Sequence, residues 1–219
     1  MDAVYFDLDG TLTDPKPGIT RSIRFALHSL DRAAPPEDEL TWCIGPPLRD
    51  SLRTLLGGDA SADAALSLYR QRFADIGIYE NSVYDGIEDT LSGLRKSGCR
   101  LFVATSKPRV YAERIIDHFR MRVYFDGVFG SELDGTRSDK TELLAYALEA
   151  TGADPLQAAM IGDRSHDMVG ARRNGMTAIG VLYGYGSEAE LVQAGAHQVC
   201  STPRAVLEYL ESKGALASL

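Results

Sequence analysis

The chain has 219 residues and a formal net charge of −8, with 44% hydrophobic and 25% charged residues. This composition is that of a globular protein, and the length allows either one α/β domain with an insertion or two small domains. The acidic balance disfavours nucleic-acid polymers and anionic membranes as partners, because both are normally bound by a basic surface.

The three cysteines, Cys43, Cys99 and Cys200, lie far apart and match no metal-binding spacing. Disulfides belong mainly to oxidising compartments, so we expect three buried, reduced thiols. The sequence contains no signal-like or membrane-spanning apolar run. We expect a cytoplasmic protein without a membrane partner, either a monomer or a homodimer.

The first predicted element is a strand over residues 4–6, which ends in the acids Asp7 and Asp9 and in Gly10. Residues i and i+2 of a strand share one face, so the two acids begin on the same side. Two carboxylates this close require a cation or a proton between them. Taken alone, the pattern is also that of an ordinary strand end and turn.

Residues 15–82 show only helical patterns, separated by proline and glycine breaks. From residue 83 onward, helices alternate with short apolar strands, predicted at 100–104, 127–129, 158–161, 177–181 and 198–200. This alternation is typical of a doubly wound parallel sheet, a Rossmann-like three-layer α/β/α fold. We predict a core domain of residues 1–14 and 83–219, with an all-α domain of residues 15–82 inserted.

Three predicted strands end in polar residues that can cooperate chemically. Asp7 follows the first, Thr105 and Ser106 follow another, and Asp163 follows a third. The carboxyl ends of parallel strands meet at one edge of the sheet, where active sites of such folds lie. Asp167 lies one helical turn beyond Asp163 and can return to the same place.

This set holds four acids, Asp7, Asp9, Asp163 and Asp167, whose mutual repulsion a hard divalent cation with oxygen ligands would relieve. Mg²⁺ is therefore the expected cofactor, since no cluster of His or Cys offers the ligands that zinc prefers. For Asp167 alone, stabilisation of a helix N-terminus is an alternative role.

Carboxylates beside Mg²⁺, together with a hydroxyl and a lysine, suit phosphoryl transfer. Asp7 can serve as the nucleophile and Asp9 as the acid/base. Thr105 and the amide of Ser106 can hold the transferring phosphoryl group, and Lys140, which opens a predicted helix, can neutralise its charge.

The motifs Asp7-Leu8-Asp9-Gly10-Thr11, Thr105, Lys140 and Gly162-Asp163-x-x-x-Asp167 resemble, in order and separation, those of the haloacid dehalogenase-like phosphohydrolases. The resemblance implies that the metal ligands are Asp7, the backbone carbonyl of Asp9, and Asp163, with Asp167 bound directly or through water. It also implies that the helical insertion is a cap of the family's first type, which closes over the site and selects the substrate.

Within that family, several segments of the sequence are similar to those of the phosphoglycolate phosphatases and bacterial 5'-nucleotidase-like enzymes. The segments behind this likeness are 44–48, 104–108, 130–135 and 182–187. Ser106 stands where many members have Asn. The implied function is a Mg²⁺-dependent phosphomonoesterase that forms an aspartyl phosphate on a small metabolite, either phosphoglycolate or a nucleoside 5'-monophosphate.

Several alternatives remain at this point. A phosphomutase acting on a sugar phosphate would use the same acids, and a receiver-like phosphoacceptor domain would be a non-enzymatic reading. The loop at Gly45 and Pro46 either enters the active site, with Arg49 meeting a substrate anion, or only separates two cap helices. Lys107 either touches the phosphate or, as its position before Pro108 at a predicted helix start favours, is exposed.

Overall fold

The structure, a computed structural model, describes residues 1–217. The strands of the main sheet are β1 (Ala3–Phe6), β4 (Arg100–Pro108), β5 (Gly127–Ser131), β6 (Ala158–Gly162), β7 (Thr177–Val181) and β8 (Gln198–Cys200). All neighbouring pairs are parallel, and the order across the sheet is β5-β4-β1-β6-β7-β8. The predicted doubly wound parallel sheet is confirmed.

The helices are α1 (Lys16–Ser29), α2 (Leu48–Leu56), α3 (Asp59–Asp75), α4 (Ile87–Lys96), α5 (Arg109–His118), α6 (Lys140–Thr151), α7 (Ser165–Arg173), α8 (Glu188–Gln193) and α9 (Pro203–Ala217). Short 3-10 helices cover Glu37–Cys43, Gly77–Tyr79, Met121–Tyr124 and Pro155–Gln157. Among the helices described, none is both long and apolar enough to cross a bilayer.

Successive side chains of the central strand β1 point to opposite faces of the sheet, which explains why helices cover both faces. Val4 and Phe6 of β1 point into the apolar cluster that α4, α5 and α9 complete, whereas Ala3 and Tyr5 point into the cluster completed by α6 and α7. A strand buried on both faces reads as a continuous apolar run, as β1 does. The result is the predicted three-layer arrangement.

The functional edge follows from the strand order. The chain leaves β1 for β4 and β5 on one side, then returns to β6 on the other side of β1. Phe6 is in register with Val103 of β4 and with Ile161 of β6, so the residues just beyond these three strands converge. This is the switch point at which doubly wound sheets bind ligands.

The helical cap, which contains α1, α2 and α3, is inserted between two short antiparallel strands, β2 (Thr13–Asp14) and β3 (Ser82–Val83). Thr13 pairs with Val83, and Asp14 pairs with Ser82. These strands lie beside the predicted domain boundaries, which stay a prediction. The cap's inward-facing residues, among them Ile23, Leu52 and Phe73, are buried and continuous with the core cluster.

Candidate active site

The loop after β1 brings two of the predicted catalytic residues to the switch point. The backbone N–H of Asp7 donates to the carbonyl of Ile161 at 2.9 Å, which ties the strand end to β6. The loop then closes on itself, since the amides of Leu12 and Thr13 both donate to the carbonyl of Leu8. Asp7 is 2% exposed and Asp9 is 7% exposed, so both carboxylates are largely withdrawn from water.

Gly10 is required in this loop for two reasons. Its φ is +85°, in the left-handed region, and a Cβ placed there would lie 2.3 Å from Oδ2 of Asp163. Any side chain at this position therefore collides with a buried carboxylate. Gly98 offers a matched comparison, because its φ is +84° and nothing lies within 4 Å of an added Cβ.

We expect Gly98→Ala to lower the free energy of unfolding by about 1 to 2 kcal/mol, the cost of a left-handed non-glycine residue. Gly10→Ala should cost at least about 1 kcal/mol more, because the added methyl group also displaces Asp163. Urea unfolding of both variants measures the difference. Equal losses would show that the contact with Asp163 carries no cost.

Three acids form a buried cluster at the carboxyl ends of β1 and β6. Oxygen atoms of Asp7, Asp163 and Asp167 lie within 4.8 Å of one another. Lys140, the first residue of α6, lies 3.1 Å from Oδ1 of Asp7 and 2.8 Å from Oδ1 of Asp167. Its Nζ also donates to the carbonyl of Ala104 at 2.9 Å, so β4 helps to position it.

Burial and mutual repulsion shift the pKa values of this cluster. Burial raises the pKa of Asp7 to about 6; Lys140 opposes the rise, and Asp167 and Asp9 add to it. Burial, together with Asp167 and Asp7, also raises the pKa of Asp163 well above its usual range. Burial alone would lower the pKa of Lys140, but Asp167 and Asp7 outweigh it and raise that pKa.

The donor set fits a hard divalent cation. When all three carboxylates are ionised, Lys140 is the one ammonium group within the described residues that faces them, so negative charge is left over for a cation, and each acid offers oxygen, the ligand that Mg²⁺ prefers. Asp163 is held in place by the backbone N–H of Tyr185 at 2.8 Å and by the hydroxyl of Thr11 at 3.4 Å. Such outer contacts orient metal ligands.

The end of β4 carries the predicted phosphate-binding residues. Thr105 is 2% exposed, and Ser106 has a buried hydroxyl oxygen without a hydrogen-bond partner among the described residues. Both line one cavity together with Asp7 and Asp9. The structure thus brings Asp7, Asp9, Thr105 and Ser106 to the same cavity. Asp7 also contacts Lys140, and its carboxylate lies within 4.8 Å of oxygen atoms of Asp163 and Asp167.

The expectation that Lys107 is exposed is wrong. The strand continues through Thr105 to Pro108 with an irregular step in its pairing to β5, and although a helix does begin at Arg109, the Lys107 side chain is buried. Its Nζ lies 2.7 Å from Oδ2 of Asp9. The sequence signal was available, since Thr105 and Lys107 share a strand face if the strand does not end at Ala104.

The cavity has a volume of about 310 Å³ and runs from the catalytic acids to the cap. Its apolar wall comes mainly from the cap and α5, through Ile19, Leu48, Leu66, Tyr69, Phe73 and Tyr111. Gly45, Pro46 and Arg49 also line it, so the cap loop does reach the site. Arg49 is paired with Asp63 at 2.7 Å and Asp59 at 3.1 Å, and its contact with a substrate anion stays a prediction.

Sequence reasoning missed the residue that joins this loop to the core. Arg164, next to Asp163, donates from Nη1 to the carbonyl of Ile44 at 2.6 Å and from Nε to Glu190 at 3.1 Å. A Cβ on Gly45 would lie 2.8 Å from the Arg164 side chain. No local pattern signals a contact across 120 residues, so the structure alone could find it.

A family model described as haloacid dehalogenase-like hydrolase matches residues 4–181, which includes the acids, Thr105 and Lys140. The chain belongs to the haloacid dehalogenase-like hydrolase family. The resemblance suggested by the motifs is therefore confirmed, and the match covers the cap and the sheet from β1 to β7.

Similar proteins align with nearly the whole chain. A 5'-nucleotidase of Pseudomonas aeruginosa is 47% identical, with 95% of each chain covered. The tyrosine-protein kinase PtkA of Mycobacterium tuberculosis is 39% identical over 96% of this chain and 72% of its own length. The crystal structure of a predicted phosphatase from Clostridium acetobutylicum superposes with a TM-score of 0.93 at 40% identity, covering 96% of this chain and 98% of that one. The chain is an enzyme of the phosphatase type within the haloacid dehalogenase-like family.

Proposed function

We propose that this chain is a Mg²⁺-dependent phosphomonoesterase that acts through a phosphorylated Asp7, with nucleoside 5'-monophosphates as its substrate class. The observation that carries the proposal is the position of Asp7. It contacts Lys140 and the acidic cluster on one side and lines the cavity on the other. A carboxylate placed between a cation site and a substrate cavity is suited to attack a phosphoryl group.

In the proposed reaction, a carboxylate oxygen of Asp7 forms a bond to phosphorus as the ester P–O bond breaks. Asp9 gives a proton to the leaving oxygen, and in the second half it takes the proton of the water that hydrolyses the aspartyl phosphate. Thr105 and Ser106 hold the phosphoryl oxygens, and Lys140 keeps Asp7 ionised and oriented. Mg²⁺, held by Asp7, Asp163, the Asp9 carbonyl and Asp167, would neutralise charge on the phosphoryl oxygens.

The cavity favours a nucleotide over phosphoglycolate. Its volume of about 310 Å³ lies at the small end of ligand pockets, of the order of 300 to 1,000 Å³, and exceeds what a two-carbon acid needs. The partly exposed ring of Tyr111 offers a surface on which a nucleobase can pack, and it is supported edge-on at 5.5 Å by Phe73, which is buried and stacked on Tyr69.

The pairing of the cations around the cavity also favours a nucleotide over phosphoglycolate. Phosphoglycolate carries a carboxylate that would need a cation, but Arg49 is paired with Asp63 at 2.7 Å and Lys107 is paired with Asp9 at 2.7 Å.

The test is phosphate release from a panel of nucleoside 5'-monophosphates and phosphoglycolate, each with Mg²⁺ and with a chelator. We expect kcat/KM to be at least about tenfold higher for the best nucleotide than for phosphoglycolate, and turnover to disappear on chelation and return with Mg²⁺. Tyr111→Leu should lower kcat/KM for nucleotides more than for phosphoglycolate. Tyr79→Leu, an exposed tyrosine outside the cavity, is the matched control.

A preference for phosphoglycolate, with Tyr111→Leu affecting both substrates alike, would contradict the proposed substrate class. Turnover that survives complete chelation would contradict the role of Mg²⁺.

A further inference from the structure

The carboxylate of Asp9 has two oxygens in different surroundings. Oδ2 lies 2.7 Å from Nζ of Lys107, and the side chains of Lys107 and Asp9 are 6% and 9% exposed. Oδ1 is buried and has no hydrogen-bond partner among the residues that the structure describes. One oxygen is therefore held by Lys107, while the other is left without a partner in a residue that lines the cavity.

Lys107 reaches Asp9 because of the way β4 ends. The pairing of β4 with β5 is irregular between Thr105 and Pro108, and such irregularities re-aim side chains near active sites. The backbone N–H of Lys107 donates to Oγ1 of Thr105 at 3.2 Å. The Lys107 carbonyl lies against Gly130, where a Cβ would come within 2.7 Å of it. The lysine backbone is thus closely packed on both sides.

A cap residue also contacts the ammonium group of Lys107. Nζ of Lys107 lies 4.5 Å from the centre of the Phe73 ring, which belongs to α3. A cation over an aromatic face is attracted to it, and more strongly where water is excluded. The ammonium group is therefore held between a cap residue and Asp9, and neither contact is a surface ion pair.

We propose that Lys107 is a positioning residue for Asp9: it anchors Oδ2 so that Oδ1 is the oxygen that exchanges the proton with the leaving group and with water. This rests on the proposed function. In the first half, the proton on Oδ1 goes to the ester oxygen as Asp7 bonds to phosphorus, and an alcohol leaves. In the second half, water bonds to phosphorus, the Asp7–phosphorus bond breaks and the proton returns to Oδ1. Lys107 keeps its protons throughout.

This role predicts a dependence on the leaving group that other roles would not give. An alkyl leaving group, such as the ribose of a nucleotide, needs a proton to depart, whereas p-nitrophenolate departs as a stable anion. Loss of Asp9 positioning should therefore slow formation of the aspartyl phosphate from a nucleotide but not from p-nitrophenyl phosphate. A lysine that bound the substrate phosphoryl group would instead affect both substrates and raise both KM values.

The experiment compares wild type, Lys107→Met, Asp9→Asn and the double variant with a nucleoside 5'-monophosphate and with p-nitrophenyl phosphate. For Lys107→Met we expect kcat with the nucleotide to fall about 10- to 100-fold, a part of what an acid/base residue contributes. The pre-steady-state burst of p-nitrophenolate should keep its rate within about twofold. The double variant should be no more than about twofold slower than Asp9→Asn, because the two residues act as one unit.

Lys107→Gln keeps a donor for Oδ2 without the charge, and its nucleotide kcat should lie between those of wild type and Lys107→Met. Lys96→Met, at an exposed lysine, is the matched control and should behave as wild type. A burst of p-nitrophenolate that slows as much as nucleotide turnover, or losses of Lys107→Met and Asp9→Asn that multiply in the double variant, would overturn the role of Lys107 and leave the phosphatase function standing. A wild-type chain that releases phosphate from neither ester would overturn both.

Discussion

Replacing Asp7 by asparagine is expected to lower kcat for phosphomonoester hydrolysis by at least about four orders of magnitude, as loss of a nucleophile does in other covalent enzymes. An amide cannot attack phosphorus and cannot carry the phosphoryl group between the two half-reactions. Phosphate release measures the loss. Mass spectrometry of acid-quenched wild type should show one added phosphoryl group, which Asp7→Asn should lack.

The matched control for Asp7→Asn is Asp75→Asn, at an exposed carboxylate outside the site, which should retain full turnover. Asp7→Asn removes one of three crowded buried carboxylates, so the folded protein should be at least as stable as wild type when no cation is bound. A variant that is folded and still turns over at the wild-type rate would mean that another group is the nucleophile.

Lys140→Met should destabilise the protein by about 3 to 5 kcal/mol in the presence of a chelator, because it leaves buried carboxylates without their cation. The loss should depend on pH. The pKa of Asp7 is already raised to about 6 in the folded protein. When the pKa of an acid is higher in the folded protein than in the unfolded chain, the acid stabilises the fold at pH values below its unfolded pKa. This stabilisation is lost as the pH rises through the pKa of the folded protein. Urea unfolding should therefore show a smaller loss at about pH 5 than at about pH 8.

Two further variants separate the electrostatic cause from a packing defect. Lys96→Met removes an exposed lysine and should change the free energy of unfolding by no more than about 0.5 kcal/mol. Adding Asp167→Asn to Lys140→Met removes one of the stranded charges and should restore part of the lost stability. If the double variant is less stable than Lys140→Met alone, repulsion among the carboxylates is not the cause.

Much of the sheet was predictable because buried parallel strands are short, apolar and separated by helices. The predicted strands at 177–181 and 198–200 coincide with β7 and β8. The predicted strand at 100–104 is four residues short, since β4 continues through polar Thr105 to Pro108. Polar residues and a proline look like a strand end in sequence, but here they face the active site at the end of the sheet.

The paired strands β2 and β3 were not predicted. Each is two residues long, and their pairing brings together segments separated by the entire cap. A period-two pattern needs several residues to stand out, so a ladder this short leaves no readable trace in the sequence.

The acids and Lys140 were predictable as a set because each follows a strand or opens a helix, and the parallel topology then brings them together. The hydrogen-bond or ion-pair partner of each acid was not predictable. Asp9 faces Lys107, Asp163 accepts from Tyr185, and both contacts join segments far apart in the sequence. Side-chain pairing of this kind depends on the exact path of the loops, which no spacing of residues specifies.

The pairing of β2 with β3 brings the two ends of the cap insertion together. Because Asp14 pairs with Ser82, the chain leaves the sheet domain and re-enters it at nearly the same place. The Cα atoms of these two residues are only about 5 Å apart. The 67 residues between the two strands (15–81) therefore add no strain to the loop that carries Asp7 and Asp9, because both ends of the insertion meet the sheet domain at one place.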